Sequence, residues 1–167
     1  RSRLLTKEKI CFISIEHPDY PEKLKSIADP PLGLFVKGNP KLLNQRQLAI
    51  VGSRKATRQA LDITRSWAGK ISRQNVAVTS GMALGIDAAA HMGVLDNDSE
   101  SHSAGKTIAV LGCGLLHIYP KQHWQLWQKI IDAGGAIVSE YLPDVSAKAQ
   151  YFPQRNRIIS GMSEGVI

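Results

Sequence analysis

VAVTSGMALGIDAAAH, residues 76–91, decides the fold. A β-branched run (Val76, Val78, Thr79) stops at Ser80-Gly81. Gly85 follows four residues later, and an alanine-rich helical stretch begins. Strand, glycine turn and helix make the unit of a parallel α/β sheet, because parallel neighbours need a crossover that a helix supplies. A helix opening on such a turn also points backbone N–H groups and a positive dipole end into it, and phosphate is the usual guest there.

The same pattern recurs on both sides. Leu48–Val51 is a short apolar run ending in Gly52-Ser53-Arg54. Helical periodicity follows over Ala56–Gln74, with Leu61, Thr64, Ala68 and Ile71 on one face. Arg54, Arg58 and Arg65 share a neighbouring face without apolar residues. After the helix over Ile86–Leu95 comes a polar loop, Asp96–Gly105. Thr107–Leu111 reads as the next strand, ending in Gly112-Cys113-Gly114. Pro120 can open a helix over Lys121–Ala133, which Gly134-Gly135 ends. Ala136–Ser139 is a further strand, Gln154–Ser160 a short helix behind Phe152-Pro153, and Gly165–Ile167 the opening of another strand. The pattern predicts a Rossmann-like α/β fold over residues 48–167: an open, mostly parallel sheet with helices on both faces. Residues 1–47 read as an N-terminal extension or partial subdomain, with short strands at Ile10–Ile15 and Leu34–Lys37 and a helix at Glu22–Ile27.

Composition narrows the function classes. Apolar residues at 43% supply a core, and charged residues at 21% argue against disorder. No apolar run approaches membrane-spanning length, and the first ten residues lack the apolar region of a secretory signal. The absence of an initiator Met reads as a chain cut from something longer. Cys11 and Cys113 read as reduced cytoplasmic thiols. The net charge is +7, and Lys37–Arg73 holds nine basic residues against one acid, Asp62. Such density suits a polyanion partner, and equally an ordinary solvated face.

In an open parallel sheet, ligands bind at the carboxyl ends of the strands. The turns there pair glycine with serine at Gly52-Ser53 and Ser80-Gly81. Glycine admits an anion close to the backbone, hydroxyls add hydrogen bonds, and tight strand-to-helix turns need glycine in any case. Arg155, Asn156 and Arg157 start a helix; they suit phosphate contacts, or the arginines tie that helix to Asp87 or Glu140. Lys121 sits at the positive end of its helix, a misplaced charge that a bound anion would offset and that costs little if the side chain simply points into water. Periodicity places Trp124 in the core beside Trp127, although with Tyr119 and His123 it also lies where a base could stack. Asp87 reads as a first-turn acid and His91 as a structural histidine. Neither GxGxxG nor a Walker A motif is present, no metal-ligand spacing appears, and no nucleophile–base pair stands out. No cofactor is expected.

The sequences AIVGSR (Ala49–Arg54), VTSGMALGIDAAAH (Val78–His91), TIAVLGCGL followed by YP (Thr107–Pro120) and FPQRNRIISGMS (Phe152–Ser163) together resemble the DNA-processing protein A (DprA/Smf) family. Tyr20-Pro21 and Asp29–Pro31 fit the segment before its Rossmann-like domain. The resemblance implies a cytoplasmic, homodimeric single-stranded DNA-binding protein without an enzymatic activity. It would protect incoming DNA and load RecA recombinase in natural transformation. It implies DNA contacts at Gly52, Ser53, Arg54, Ser80, Gly81, Lys121, Trp124, Arg155, Asn156 and Arg157. The family's sheet continues past residue 167 and carries much of the dimer surface there, and its winged-helix segment has no counterpart here. The alternative is a nucleotide-binding enzyme such as a nucleoside-phosphate phosphoribohydrolase, whose fold is similar but whose PGGxGTxxE signature has no match in this chain.

Overall fold

The computed structural model describes residues 8–97 and 106–167. Its strands are β1 (Ile10–Ser14), β2 (Gly33–Gly38), β3 (Gln47–Ala49), β4 (Ala77–Ser80), β5 (Thr107–Val110) and β6 (Ala136–Ser139). They form one sheet in the order β1-β2-β6-β5-β4-β3. Strands β3 to β6 are parallel, as expected. Every residue of β4, β5 and β6 is buried. A strand covered on both faces has no solvent side, so its sequence is a continuous apolar run.

The helices are α1 (Glu22–Lys25), α2 (Arg58–Arg73), α3 (Ile86–Asn97), α4 (Trp124–Asp132) and α5 (Tyr151–Met162). The two-residue alternation of the strands divides the core between them. Ala77, Ile108, Val110, Ala136 and Val138 point to the face covered by Leu24 of α1 and Ile158, Ile159 and Met162 of α5. Val78, Ala109 and Ile137 point to the face covered by α2, α3 and α4. Helices α2 and α3 touch backbone to backbone: a Cβ on Gly93 would lie 2.3 Å from the Arg65 carbonyl oxygen. Helix α3 runs two residues past the expected end; the rest of the expected polar loop lies outside the described residues.

The expected boundary at residues 47/48 is crossed by the sheet. Strand β1 pairs antiparallel with β2, and β2 pairs antiparallel with β6 (Phe35 opposite Ser139), so residues 10–38 extend the same sheet. Gln47, fully buried, donates to the Leu43 carbonyl at 2.7 Å and accepts from the Thr79 hydroxyl at 2.7 Å. Tyr20 is also fully buried, and its hydroxyl donates to the Pro31 carbonyl at 2.6 Å. At the other edge, Val166 makes a parallel bridge to Ala49, which is the strand opening expected at Gly165–Ile167. Both cysteines are free, Cys11 exposed and Cys113 buried.

His91 is structural, as its helical context suggested, and it makes the fold acid-sensitive. It is fully buried in α3, with Nδ1 2.7 Å from the Thr107 hydroxyl oxygen. That hydroxyl donates to the Val78 carbonyl at 2.8 Å. The histidine therefore donates through Nδ1–H, which leaves Nε2 buried without a partner. Burial first, then the charges of His123 and Arg155, depress its pKa from 6.5 to about 3. Between those values the unfolded chain binds the proton and the folded chain does not. The fold should lose about 1.4 kcal/mol per pH unit on acidification from roughly 6.5 toward 3. Urea titrations across that range should show this loss for the native chain and a flatter profile for His91→Gln.

Candidate nucleic-acid interface

The loops leaving β3, β4, β5 and β6 meet along one rim of the sheet. A cleft of about 470 Å3 opens there, lined by Gly52 and Arg54 after β3, Ala83 and Asp87 after β4, Tyr119 after β5, and Phe152 and Arg155 of α5, among others. Parallel strands all end on the same side, so segments distant in sequence converge.

The turns do not wait for an outside anion, because an internal one occupies them. The carboxylate of Asp87 accepts hydrogen bonds from the backbone N–H of Gly81 (3.1 Å) and of Ala83 (3.3 Å), and the Gly52 N–H also favours its ionised form. Asp87 is 4% exposed. Burial raises its pKa, and the charge of Arg155 and these N–H groups pull it back down. It is thus the first-turn acid of α3, as expected, and the guest of the glycine turn.

The glycines make room for the protein's own side chains. A Cβ on Gly81 would lie 2.3 Å from the Arg155 guanidinium, and one on Gly52 would lie 2.8 Å from the Ile86 side chain. At both positions the missing side chain is thus already required by internal packing, while the glycines still border the rim. Ser80 is likewise withdrawn: it is fully buried and its hydroxyl donates to the Ile50 carbonyl at 2.6 Å. Ser53 stays exposed, and its side-chain oxygen caps the turn by accepting from the Lys55 N–H at 3.1 Å.

The arginines of α5 are engaged internally. Arg155 is 4% exposed. Its Nη1 donates to the carbonyls of Gly81, at 2.6 Å, and Val110, and its Nε to Asn156 at 3.2 Å. Arg157 holds Glu140 through two bonds of 2.7 and 2.6 Å and reaches the Asp29 carboxylate at 3.0 Å. Of the ties expected for this pair, the one from Arg157 to Glu140 is present, whereas Arg155 acts on Asp87 through its charge and bonds instead to backbone carbonyls. Arg155 thus lines the floor of the cleft with its guanidinium mostly buried and already bound to backbone carbonyls, an arrangement that fits positioning the rim. On α2, Arg65 also pairs with Asp96, at 3.1 Å, which breaks the expected basic face.

What remains on the rim is Arg54, Lys121 and exposed apolar surface. Arg54 is exposed, and its guanidinium carbon lies 5.5 Å from the centre of the Phe152 ring. Phe152 in turn packs on Tyr119 with ring centres 5.1 Å apart. Lys121 is exposed at the start of a 3-10 turn (Lys121–His123) that runs into α4 with no side-chain cap. Among the described residues, neither cation has an acidic partner. Asn156 is exposed and lines the cleft.

Trp124 corrects its periodicity. The buried stripe is His123, Leu126, Trp127 and Ile130, and Trp124, one residue off it, is 57% exposed. His123 is pinned by a 2.9 Å contact to the Met82 carbonyl. Val51, Leu84, Leu116, Tyr119 and Leu142 are exposed on the same set of loops. Sequence reasoning missed the Tyr119–Phe152–Arg54 stack, although YP and FP were visible as motifs. Its members are separated by more than thirty residues, and no local period relates them.

A family model, "DNA recombination-mediator protein A", matches residues 11–167. Protein Smf of Escherichia coli is 42% identical over 148 residues, covering 89% of this chain and 38% of that protein. DNA processing protein DprA of Streptococcus pneumoniae is 42% identical over 165 residues, covering 98% and 56%. The X-ray structure of DprA from Streptococcus pneumoniae superposes with a TM-score of 0.85 at 38% identity, covering 99% of this chain and 56% of that one. DNA processing protein A from Helicobacter pylori, studied for its single-stranded DNA binding mode, superposes at 0.79 with 30% identity, covering 93% and 67%. The chain spans about half the length of the curated relatives it matches.

Proposed function

The chain belongs to the DNA recombination-mediator protein A family, and from that membership and its rim we propose that it binds single-stranded DNA. The observation that carries the reading is the pairing, along one edge, of cations without an acidic partner among the described residues with aromatic rings: Arg54 and Lys121 beside exposed Tyr119 and Trp124 and half-buried Phe152. Lysine and arginine hold phosphates, and aromatic faces stack on bases of any identity. A duplex hides its base faces, so this surface favours unpaired strands. Gly52, Ser53 and Asn156 border the path; Ser80, Gly81, Arg155 and Arg157 shape it from beneath.

We extend the proposal to the whole protein. It protects incoming strands in the cytoplasm, hands them to RecA and acts as a homodimer. The likeness to Helicobacter pylori DNA processing protein A supports the strand-binding core of this reading. The chain works here by binding and not by turnover. Its best-placed acid, Asp87, is held by the backbone N–H groups of Gly81 and Ala83 within the field of Arg155, a structural engagement that supports binding over turnover.

Fluorescence anisotropy with single- and double-stranded oligonucleotides at two salt concentrations tests this. Single strands should bind more tightly, with little dependence on sequence. The logarithm of affinity should fall with the logarithm of salt by about 0.7 per phosphate contacted. Salt-insensitive binding confined to one sequence, or turnover of a mononucleotide, would overturn the reading.

A further inference from the structure

We propose that a strand engaged at the Arg54 cleft continues onto a second contact strip on the β6 side of the rim, where Tyr141, Tyr151 and Lys148 take a further base and phosphate. This rests on the single-stranded DNA reading above.

Tyr141, just after β6, and Tyr151, the first residue of α5, stack with ring centres 4.2 Å apart and planes 28° apart. Both are half-buried, outside the sheet core. The Tyr141 hydroxyl donates to Gln154 at 3.1 Å, which holds the ring. The Lys148 ammonium lies 5.6 Å from the Tyr151 ring centre. The Tyr151 N–H donates to the Lys148 carbonyl at 3.0 Å, closing the turn that presents both. A preset ring pair with a cation beside it is the arrangement that holds single strands by stacking and charge.

The strip is continuous with the cleft. Tyr151 precedes Phe152, so the two aromatic pairs are joined by one peptide bond. Lys148 lies between Ala147 and Ala149, both of which line the cleft. The nearby acid, Glu140, would repel a phosphate if free, but Arg157 neutralises it with two short hydrogen bonds. Among the described residues, Lys148 itself has no acidic partner. From β3 to β6 the strand ends step three times by ~4.8 Å, about 14 Å in all, so one extended strand can cross the rim along this line.

The test is a length series of oligo-dT, from about four to about twenty nucleotides, on the native protein, Lys148→Ala, Tyr151→Leu and Arg54→Ala. The shortest oligomers should bind the first three alike. Longer ones should lose about five-fold or more with Tyr151→Leu, and the salt slope should fall by about 0.7 with Lys148→Ala. Bromodeoxyuridine oligomers should cross-link to the peptide carrying Tyr151. If the native protein binds and Arg54→Ala weakens it while Lys148→Ala and Tyr151→Leu match the native protein at every length, the second strip is wrong and the first stands. If the native protein binds no single strand, both fall. Lys148→Ala, an exposed change, keeps the test sound should Tyr151→Leu misfold.

Discussion

Arg155→Met is expected to destabilise the fold by about 3–5 kcal/mol, a large share of the 5–15 kcal/mol that holds a typical domain. Methionine restores most of the volume and none of the chemistry. It strands the carbonyls of Gly81 and Val110, which the guanidinium binds, and leaves the buried Asp87 carboxylate without the charge that offsets its burial. Urea unfolding gives the size of the loss. The deficit should narrow as the pH falls, because protonating Asp87 removes the uncompensated charge. Asp87→Asn in the same background should recover part of the loss, as expected for coupled neighbours. A variant as stable as the native chain would show that these groups are not coupled.

Arg54→Ala should behave in the opposite way. Stability should change by no more than about 0.5 kcal/mol, since the side chain is exposed and rests only on Phe152. Affinity for single-stranded DNA should fall about ten- to one-hundred-fold, the equivalent of one charge-assisted contact. The loss should be equal for all sequences, and the salt slope should drop by about 0.7. Arg54→Lys should recover only part, because an ammonium lacks the flat face that lies against Phe152. Anisotropy titrations with oligomers of differing composition decide this; a loss restricted to one composition would contradict a phosphate contact. These results would separate two arginines 101 positions apart on one rim into a binding residue and a scaffold residue.

Much of the architecture was legible locally. The runs ending at Val51, Thr79, Leu111 and Ser139 locate all four parallel strands to within two residues, because a strand buried on both faces must be apolar throughout and its exit turn needs glycine or serine. The helical positions of Asp87 and His91 are enough to mark both as structural, which their buried hydrogen bonds bear out. The N-terminal strands were seen, but not their place in the sheet, since antiparallel pairing of β2 with β6 joins residues a hundred positions apart. Trp124 was misplaced because a helical period gives the width of an apolar stripe and not its exact rotation against the sheet.

By itself, the sequence determined the α/β alternation, the edge of the sheet where loops converge and the stock of cations available to that edge. Period, turn chemistry and composition are all short-range properties, so they can be read without coordinates. Only the tertiary structure decided which cations face outward. Arg155 is bound to a carbonyl 74 residues away and Arg157 to an aspartate 128 residues away, whereas Arg54 and Lys121 find no acid among the described residues. Whether a charge is neutralised depends on what folding brings beside it, and that proximity has no signature in the neighbouring residues.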